Sequence, residues 1–276
     1  AMTQPMLTLN DGRQMPQLGF GLWQVPAETT ADTTATALRL GYRLVDGAAA
    51  YRNEEGQGDG VRASGLPRGQ VFVTTKIWNN AQGFDATLRA AEEGLSRLGL
   101  DHVNLLLIHW PCPARDLYVD TWRALIRLRE EGRALSIGVC NFNAPHLERL
   151  IAETGVTPAV NQIEINPRLQ QPDLRAVHAR LGIITQSWTP LGGGHSFSAP
   201  AITAAAKRTG KTAVQAILRW HLQLGVSVLP RSTRKEGLAE NLDIFDFTLT
   251  EAEMTTIAAL DEGTRCGPDP ATFDMM

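Results

Sequence analysis

Val71-Phe-Val-Thr-Thr-Lys-Ile-Trp-Asn-Asn-Ala-Gln-Gly-Phe-Asp-Ala-Thr-Leu-Arg-Ala-Ala-Glu-Glu-Gly-Leu-Ser-Arg-Leu98 holds the alternation that decides the fold. The stretch opens on a nearly continuous apolar run, Val71–Lys76, as a strand buried on both faces requires. Phe84, Leu88, Ala91, Leu95 and Leu98 then recur every three or four positions, which is one face of a helix. Working outward, the same pairing repeats along the chain. The candidate strands are Leu18–Leu22, Arg43–Asp46, Val71–Lys76, Asn104–His109, Ser136–Cys140, Ala159–Glu164, Ile183–Ser187 and Val226–Pro230. Helical patterns cover Tyr118–Glu131 (Val119, Trp122, Leu125 and Ile126 on one face), Ala144–Glu153 and Ala213–Leu224, with Gly- and Pro-containing breaks between units. Ahead of them, Leu7-Thr-Leu9, Asn10-Asp-Gly12 and Gln14-Met-Pro16 read as a small hairpin, because Asp-Gly tolerates positive φ. Strand followed by helix, eight times, predicts a closed (β/α)8 TIM barrel with a short N-terminal β-hairpin. A doubly wound open sheet is the rival, but no G-x-G-x-x-G follows an early strand. No linker or repeat divides the chain, so residues 1–276 are expected to form a single domain.

Composition narrows the function classes. The 276 residues carry 43% hydrophobic and 20% charged side chains with a net charge of −3, so no global field invites nucleic acid or an anionic membrane. The apolar run around Val103–Trp110 is too short to span a bilayer. Cys112, Cys140 and Cys266 are an odd number without metal-type spacing and read as free thiols. Ala1–Asn10 shows no basic flank followed by an apolar run, so no leader is expected and the location expected is cytoplasmic. No exposed apolar stripe stands out, which predicts a monomer.

In such a barrel the chemistry lies where strands end. Asp46 ends the second strand, with Tyr51 five residues on; Lys76 ends the third, His109 the fourth, and Gln162 and Glu164 lie on the sixth. A free tyrosine, with a pKa of about 10, is a sluggish acid near neutrality. A neighbouring ammonium lowers that value, and a buried carboxylate keeps the ammonium charged. A shift of two units corresponds to roughly 2.7 kcal/mol, within reach of one desolvated Lys–Tyr contact. His109 could hold a substrate oxygen in line. Such a set suits proton donation to a carbonyl while hydride arrives from elsewhere. Lys76 also stands out in a chain with only four lysines (the others are Lys207, Lys211 and Lys235), because an unpaired Lys in an apolar strand is costly.

Two further groups accompany this set. Trp23, Trp78, Trp110 and Trp188 fall just past strands one, three, four and seven, suiting a small-molecule pocket or a stacked cofactor ring, whereas Trp122 and Trp220 lie on helix faces. Pro230-Arg-Ser-Thr-Arg-Lys235 follows the eighth strand and opens a helix. Cations there oppose the helix dipole unless an anion is present, so the segment reads as a phosphate site. Ser187-Trp-Thr-Pro-Leu-Gly192 would add a backbone-lined cofactor contact.

These residues resemble the aldo-keto reductases, and most closely the small bacterial 2,5-diketo-D-gluconate reductases. The likeness runs from Leu9 to Leu260 through Asp46-x4-Tyr51-x-Asn53-Glu-Glu-Gly56, Thr75-Lys-Ile-Trp78, Ile108-His-Trp-Pro111, Gly138-Val-Cys-Asn141, Asn161-Gln-Ile-Glu164, Ser187-Trp188 and Leu218-Arg-Trp220. The resemblance implies NADPH-dependent reduction of aldehydes and ketones, with Tyr51 as proton donor, Lys76 and Asp46 as its partners and His109 orienting the substrate. It implies that Trp188 stacks on the nicotinamide and that Cys140, Asn141 and Gln162 hold the carboxamide. Gly21, Leu22, Trp23, Asp46, Thr189, Pro190, Leu191 and Gly192 would be further cofactor contacts. Arg231, Ser232, Thr233 and Arg234 would hold the adenosine 2′-phosphate, with Glu240 and Asn241 near the adenine. Trp23, Trp78, His109 and Trp110 would line the substrate pocket, with His195 and Arg265 available to a substrate carboxylate. Three positions depart from the pattern: Gly47 stands where Thr is usual after the Asp, Cys140 replaces a serine, and Gly237 replaces an arginine. The last predicts NADPH over NADH by a reduced margin, with NADH tolerated. Keto sugar acids such as 2,5-diketo-D-gluconate, α-keto esters and aldehydes are the expected substrates. Two alternatives remain at this point: a non-catalytic, cofactor-sensing binding protein on the same barrel, and a Schiff-base lyase using Lys76.

Overall fold

A computed structural model describes residues 4–276. Residues 1–3, where the segment read for a leader and the expected domain begin, lie outside the described residues. β1 (Met6–Thr8) and β2 (Gln14–Pro16) pair antiparallel as the N-terminal hairpin, turned by Gly12 at φ 87°. Eight parallel strands follow in sequence order: β3 (Phe20–Gly21), β4 (Leu44–Asp46), β5 (Phe72–Ile77), β6 (Val103–Ile108), β7 (Ala134–Cys140), β8 (Val160–Glu164), β9 (Ile184–Trp188) and β10 (Ser227–Val228). Each neighbours the next. The seam closes because Gly19 N–H donates to Val228 O at 3.0 Å, Gly21 N–H to Pro230 O at 3.0 Å and Val228 N–H to Gln17 O at 2.8 Å. The sheet is therefore a barrel.

Between and after the strands run α1 (Ala27–Leu40), α2 (Glu54–Ala63), α3 (Phe84–Leu98), α4 (Tyr118–Glu130), α5 (Ala144–Thr154), α6 (Pro172–Leu181), α7 (Pro200–Thr209), α8 (Ala213–Gln223), α9 (Lys235–Leu242) and α10 (Glu251–Ala258). The expected elements lie close to these bounds. The two seam strands are shorter than expected. Leu18 makes only an isolated bridge to Val228, and Pro230 has no N–H to extend the ladder.

Period-two alternation explains what fills the barrel. Leu44, Phe72, Leu105, Leu107 and Val160 point inward, and Leu9 and Met15 of the hairpin join them. Continuing the same parity upward gives Asp46 after Leu44, Lys76 four residues after Phe72, His109 after Leu107 and Gln162 after Val160. The polar residues are the top layer of the apolar stack. Trp122 and Trp220 are buried in the layers between barrel and helices, as their helix-face positions imply.

Candidate active site

Lys76 is the hub. Its ammonium, fully buried, donates to Asp46 Oδ2 at 2.8 Å, to the Gly47 carbonyl at 2.9 Å and to Tyr51 Oη at 3.2 Å. Tyr51 reaches it because the chain after β4 makes one 3-10 turn, Ala49–Tyr51, and Arg52 then adopts a left-handed conformation at φ 57°. On the other side of Asp46, Gln162 Nε2 donates to Asp46 Oδ1 at 2.9 Å and to Gln186 Oε1 at 2.8 Å. Gln186 in turn donates to Ser227 Oγ at 3.1 Å. Five strands thus hold one polar chain.

The His109 ring meets the Tyr51 ring edge-on at 5.7 Å between centroids and the Trp78 ring at 5.1 Å. Its backbone carbonyl accepts from Asn141 Nδ2 at 3.0 Å, and Asn141 Oδ1 accepts the indole N–H of Trp188 at 2.9 Å. Asn141 does both from φ 62°, a left-handed conformation that Asn tolerates better than most residues.

Protonation follows from this geometry. Burial, the largest single influence, pulls the Lys76 ammonium down, but Asp46, Tyr51 and Cys140 together outweigh it and the net shift is upward. Burial pushes the Tyr51 phenol up to about 12, against the pull of the Lys76 ammonium. The expected lowering of Tyr51 is therefore corrected: desolvation of the phenolate exceeds the stabilisation by Lys76. Burial, with the Lys76 charge adding to it, holds His109 well below the usual histidine range. At neutral pH the site presents a protonated phenol and a neutral imidazole beside a paired ammonium. That is an acid ready to donate, backed by a cation that stabilises the phenolate left behind.

A cavity of about 1870 Å³ opens above this layer and continues into the groove between α2 and α3. Pockets for a single small ligand run to about 1,000 Å³, so there is room for more than one. Of the residues singled out in the sequence, Asp46, Tyr51, Lys76, Trp78, His109, Trp110, Asn141, Gln162 and Trp188 line it together. Trp23, Thr189, Pro190, Leu191, His195 and Arg231 line it as well. Gly21, Leu22, Cys140, Gly192, Ser232, Thr233, Arg234, Glu240, Asn241 and Arg265 stand outside its lining. Leu22 and Cys140 are buried, and burial pushes the Cys140 thiol up. Glu240 accepts from Thr212 Oγ1 at 2.7 Å, and the Ser232 hydroxyl oxygen accepts the Arg234 N–H at 3.2 Å just ahead of α9. The C-terminal tail contributes too: Cys266, Gly267, Pro268, Phe273, Met275 and Met276 line one side of the cavity.

Gly47 is accounted for by its surroundings. A Cβ there would lie 2.1 Å from Gln57 Oε1, and the Gln57 amide is held by the Thr74 carbonyl at 3.1 Å. Gln57 fills the space that a larger residue at position 47 would need.

The sequence pattern of the aldo/keto reductase family matches residues 17–262. The chain belongs to the aldo/keto reductase family. It is 52% identical over 273 residues to an aldo-keto reductase of Mycobacterium sp. strain KMS, covering 99% of both chains. It is 47% identical over 272 residues to methylglyoxal reductase DkgA of Yersinia pestis, with 98% of each covered. A variant of Gox0644, solved in complex with NADPH, superposes with a TM-score of 0.95 at 45% identity, covering 99% of this chain and 100% of that one. Among the described residues of this aldo-keto reductase, no cluster of metal-ligating side chains occurs and no helix is long and apolar enough to cross a membrane. All three cysteines are unpaired.

Proposed function

We propose that this aldo-keto reductase reduces small aldehydes and ketones to alcohols with NADPH, Tyr51 supplying the proton. The observation that carries the reading is the Asp46–Lys76–Tyr51 chain beside His109 at the cavity floor. The substrate carbonyl oxygen lies between Tyr51 Oη and the His109 ring. Tyr51 donates its proton as negative charge develops there, and the Lys76 ammonium offsets the charge left on the phenolate. Asp46 keeps that ammonium charged in a site that would otherwise neutralise it.

NADPH, when bound, supplies hydride from its nicotinamide C4. The residues present fit that group. Gln162 commits its N–H groups to Asp46 and Gln186, so its carbonyl oxygen is the atom left to accept from a carboxamide. Trp188, tethered to Asn141, offers a stacking face. Arg231 pairs with the 2′-phosphate, helped by Ser232 and Arg234. Trp23, Trp78 and Trp110 form the substrate wall, and the His195 imidazole is available to hydrogen-bond a substrate carboxylate. Keto sugar acids, α-keto esters and small aldehydes fit such a pocket. The three unpaired cysteines suit a cytoplasmic setting, and the whole chain acts as one monomeric barrel.

The test follows loss of reduced-nicotinamide absorbance with NADPH and with NADH across a panel of aldehydes, α-keto esters and keto sugar acids. Turnover with NADPH supports the proposal. Tight NADPH binding without turnover on any carbonyl would move the protein to the cofactor-sensing class.

A further inference from the structure

Glu164 ends β8 in the inward register, two residues above Gln162, and the proposed chemistry does not use it. Its side chain is fully buried, and none of the ion pairs found among the described residues includes it. Burying a carboxylate away from cations is costly, so its hydrogen bonds must carry the compensation. Oε2 accepts the Cys266 backbone N–H at 2.7 Å and Asn166 Nδ2 at 3.1 Å, while Oε1 accepts the Gly267 N–H at 2.9 Å. Two successive main-chain donors converging on one carboxylate form a small anion nest, and bonds to an ionised acceptor are roughly twice as strong as neutral ones.

The nest belongs to the C-terminal tail. Beyond α10 the chain has no further helix or strand, so its path depends on such fastenings. At the nest the tail presses on Trp188: a Cβ at Gly267 would lie 2.4 Å from Trp188 Cη2. Further on, the Phe273 ring packs on Trp110 at 4.4 Å between centroids. Arg115 then donates to the Asp274 carbonyl, and Asn79 Nδ2 to the Met275 carbonyl at 2.8 Å. The tail is a strap along one side of the cavity, fastened at Glu164 and again at Asn79 and Arg115.

We propose that Glu164 is a positioning residue that fastens the C-terminal tail against Trp188 and so sets the far wall of the substrate pocket. It governs binding of carbonyls large enough to reach Phe273 and leaves the smallest ones unaffected. The kinetic consequence rests on the reductase reading; the anchoring does not.

Glu164→Gln keeps the size but sets an NH2 group against a backbone N–H. Amide hydrogen exchange of the unliganded protein is compared for the 264–276 and 160–164 segments. Losing one or both charge-assisted bonds is expected to speed exchange in the tail by about tenfold or more, with β8 unchanged. In turnover with NADPH, KM for a naphthaldehyde is expected to rise about tenfold while kcat and the KM for methylglyoxal stay within about twofold. Gly267→Ala, which drives a Cβ into Trp188 from the tail side, is expected to shift the naphthaldehyde KM in the same direction with Glu164 intact. Unchanged tail exchange, or β8 exchanging as fast as the tail, overturns the anchor. Equal rises in both KM values overturn its role in the pocket. If neither aldehyde is reduced by the unsubstituted protein, the reductase reading fails while the exchange result still decides the anchor.

Discussion

Replacing Asp46 with Asn and Lys76 with Met, singly and together, separates the stability of the buried pair from its chemistry. Both side chains are buried, and among the described residues neither forms an ion pair with any other group. Lys76→Met leaves the Asp46 carboxylate with Gln162 Nε2 as its remaining side-chain donor. Asp46→Asn leaves an ammonium with only the Gly47 carbonyl and the Tyr51 hydroxyl. Removing one partner of a buried pair typically costs about 3–5 kcal/mol, because the other stays behind uncompensated. The double substitution removes both charges, while the amide oxygen at position 46 can still accept from Gln162. It should therefore cost less than either single change, with a coupling energy of about 3 kcal/mol or more. Urea unfolding of all four proteins measures this, provided each transition is two-state. Turnover should be lost in all three variants, since the double restores folding energy and not the cation beside Tyr51. Single costs that simply add in the double would refute the argument that these two charges compensate each other.

Other consequences follow from the same geometry. Burial lowers His178 and His221 to about 4, so the folded state resists their protonation. A histidine depressed on folding contributes stability that is present above about 6.5 and lost as the pH falls toward the folded value. Urea unfolding at pH 7 and pH 5 should show a loss of about 2 kcal/mol per histidine, and no loss would contradict their buried neutral state. Gly47→Thr should destabilise by about 1–3 kcal/mol through collision with Gln57, and adding Gln57→Ala should recover part of that in thermal unfolding. Simple addition of the two costs would contradict the steric account. Arg231→Ala should raise the NADPH Kd by about tenfold and the NADH Kd by less than twofold, measured by fluorescence titration. Equal weakening of both would remove Arg231 from the phosphate site.

The barrel was legible because its signals are local and repeated. Phe84–Leu98 shows helical spacing and coincides with α3, and Val71–Lys76 lies within one residue of β5 at each end. Asp46, Lys76 and His109 were legible because barrel chemistry gathers at strand ends, and strand parity turns all three inward. What escaped depended on pairs distant in the chain. Gly47 looked like a loss until Gln57 appeared against it, and Glu164 gave no hint of its partners about a hundred residues on. The Tyr51 pKa went the other way because sequence names the neighbouring charge but not the depth of burial, and burial is the larger effect here.

The most direct test of the central claim is Tyr51→Phe with NADPH already bound. The phenyl ring keeps the packing against His109 and removes only the hydroxyl that Lys76 holds at 3.2 Å. Positioned general acids contribute about 10²–10⁴-fold, so single-turnover reduction of an accepted aldehyde should slow by roughly that factor while NADPH affinity stays within about twofold. A variant that binds NADPH equally well and reduces the aldehyde within about threefold of the unsubstituted rate would contradict Tyr51 as the proton donor.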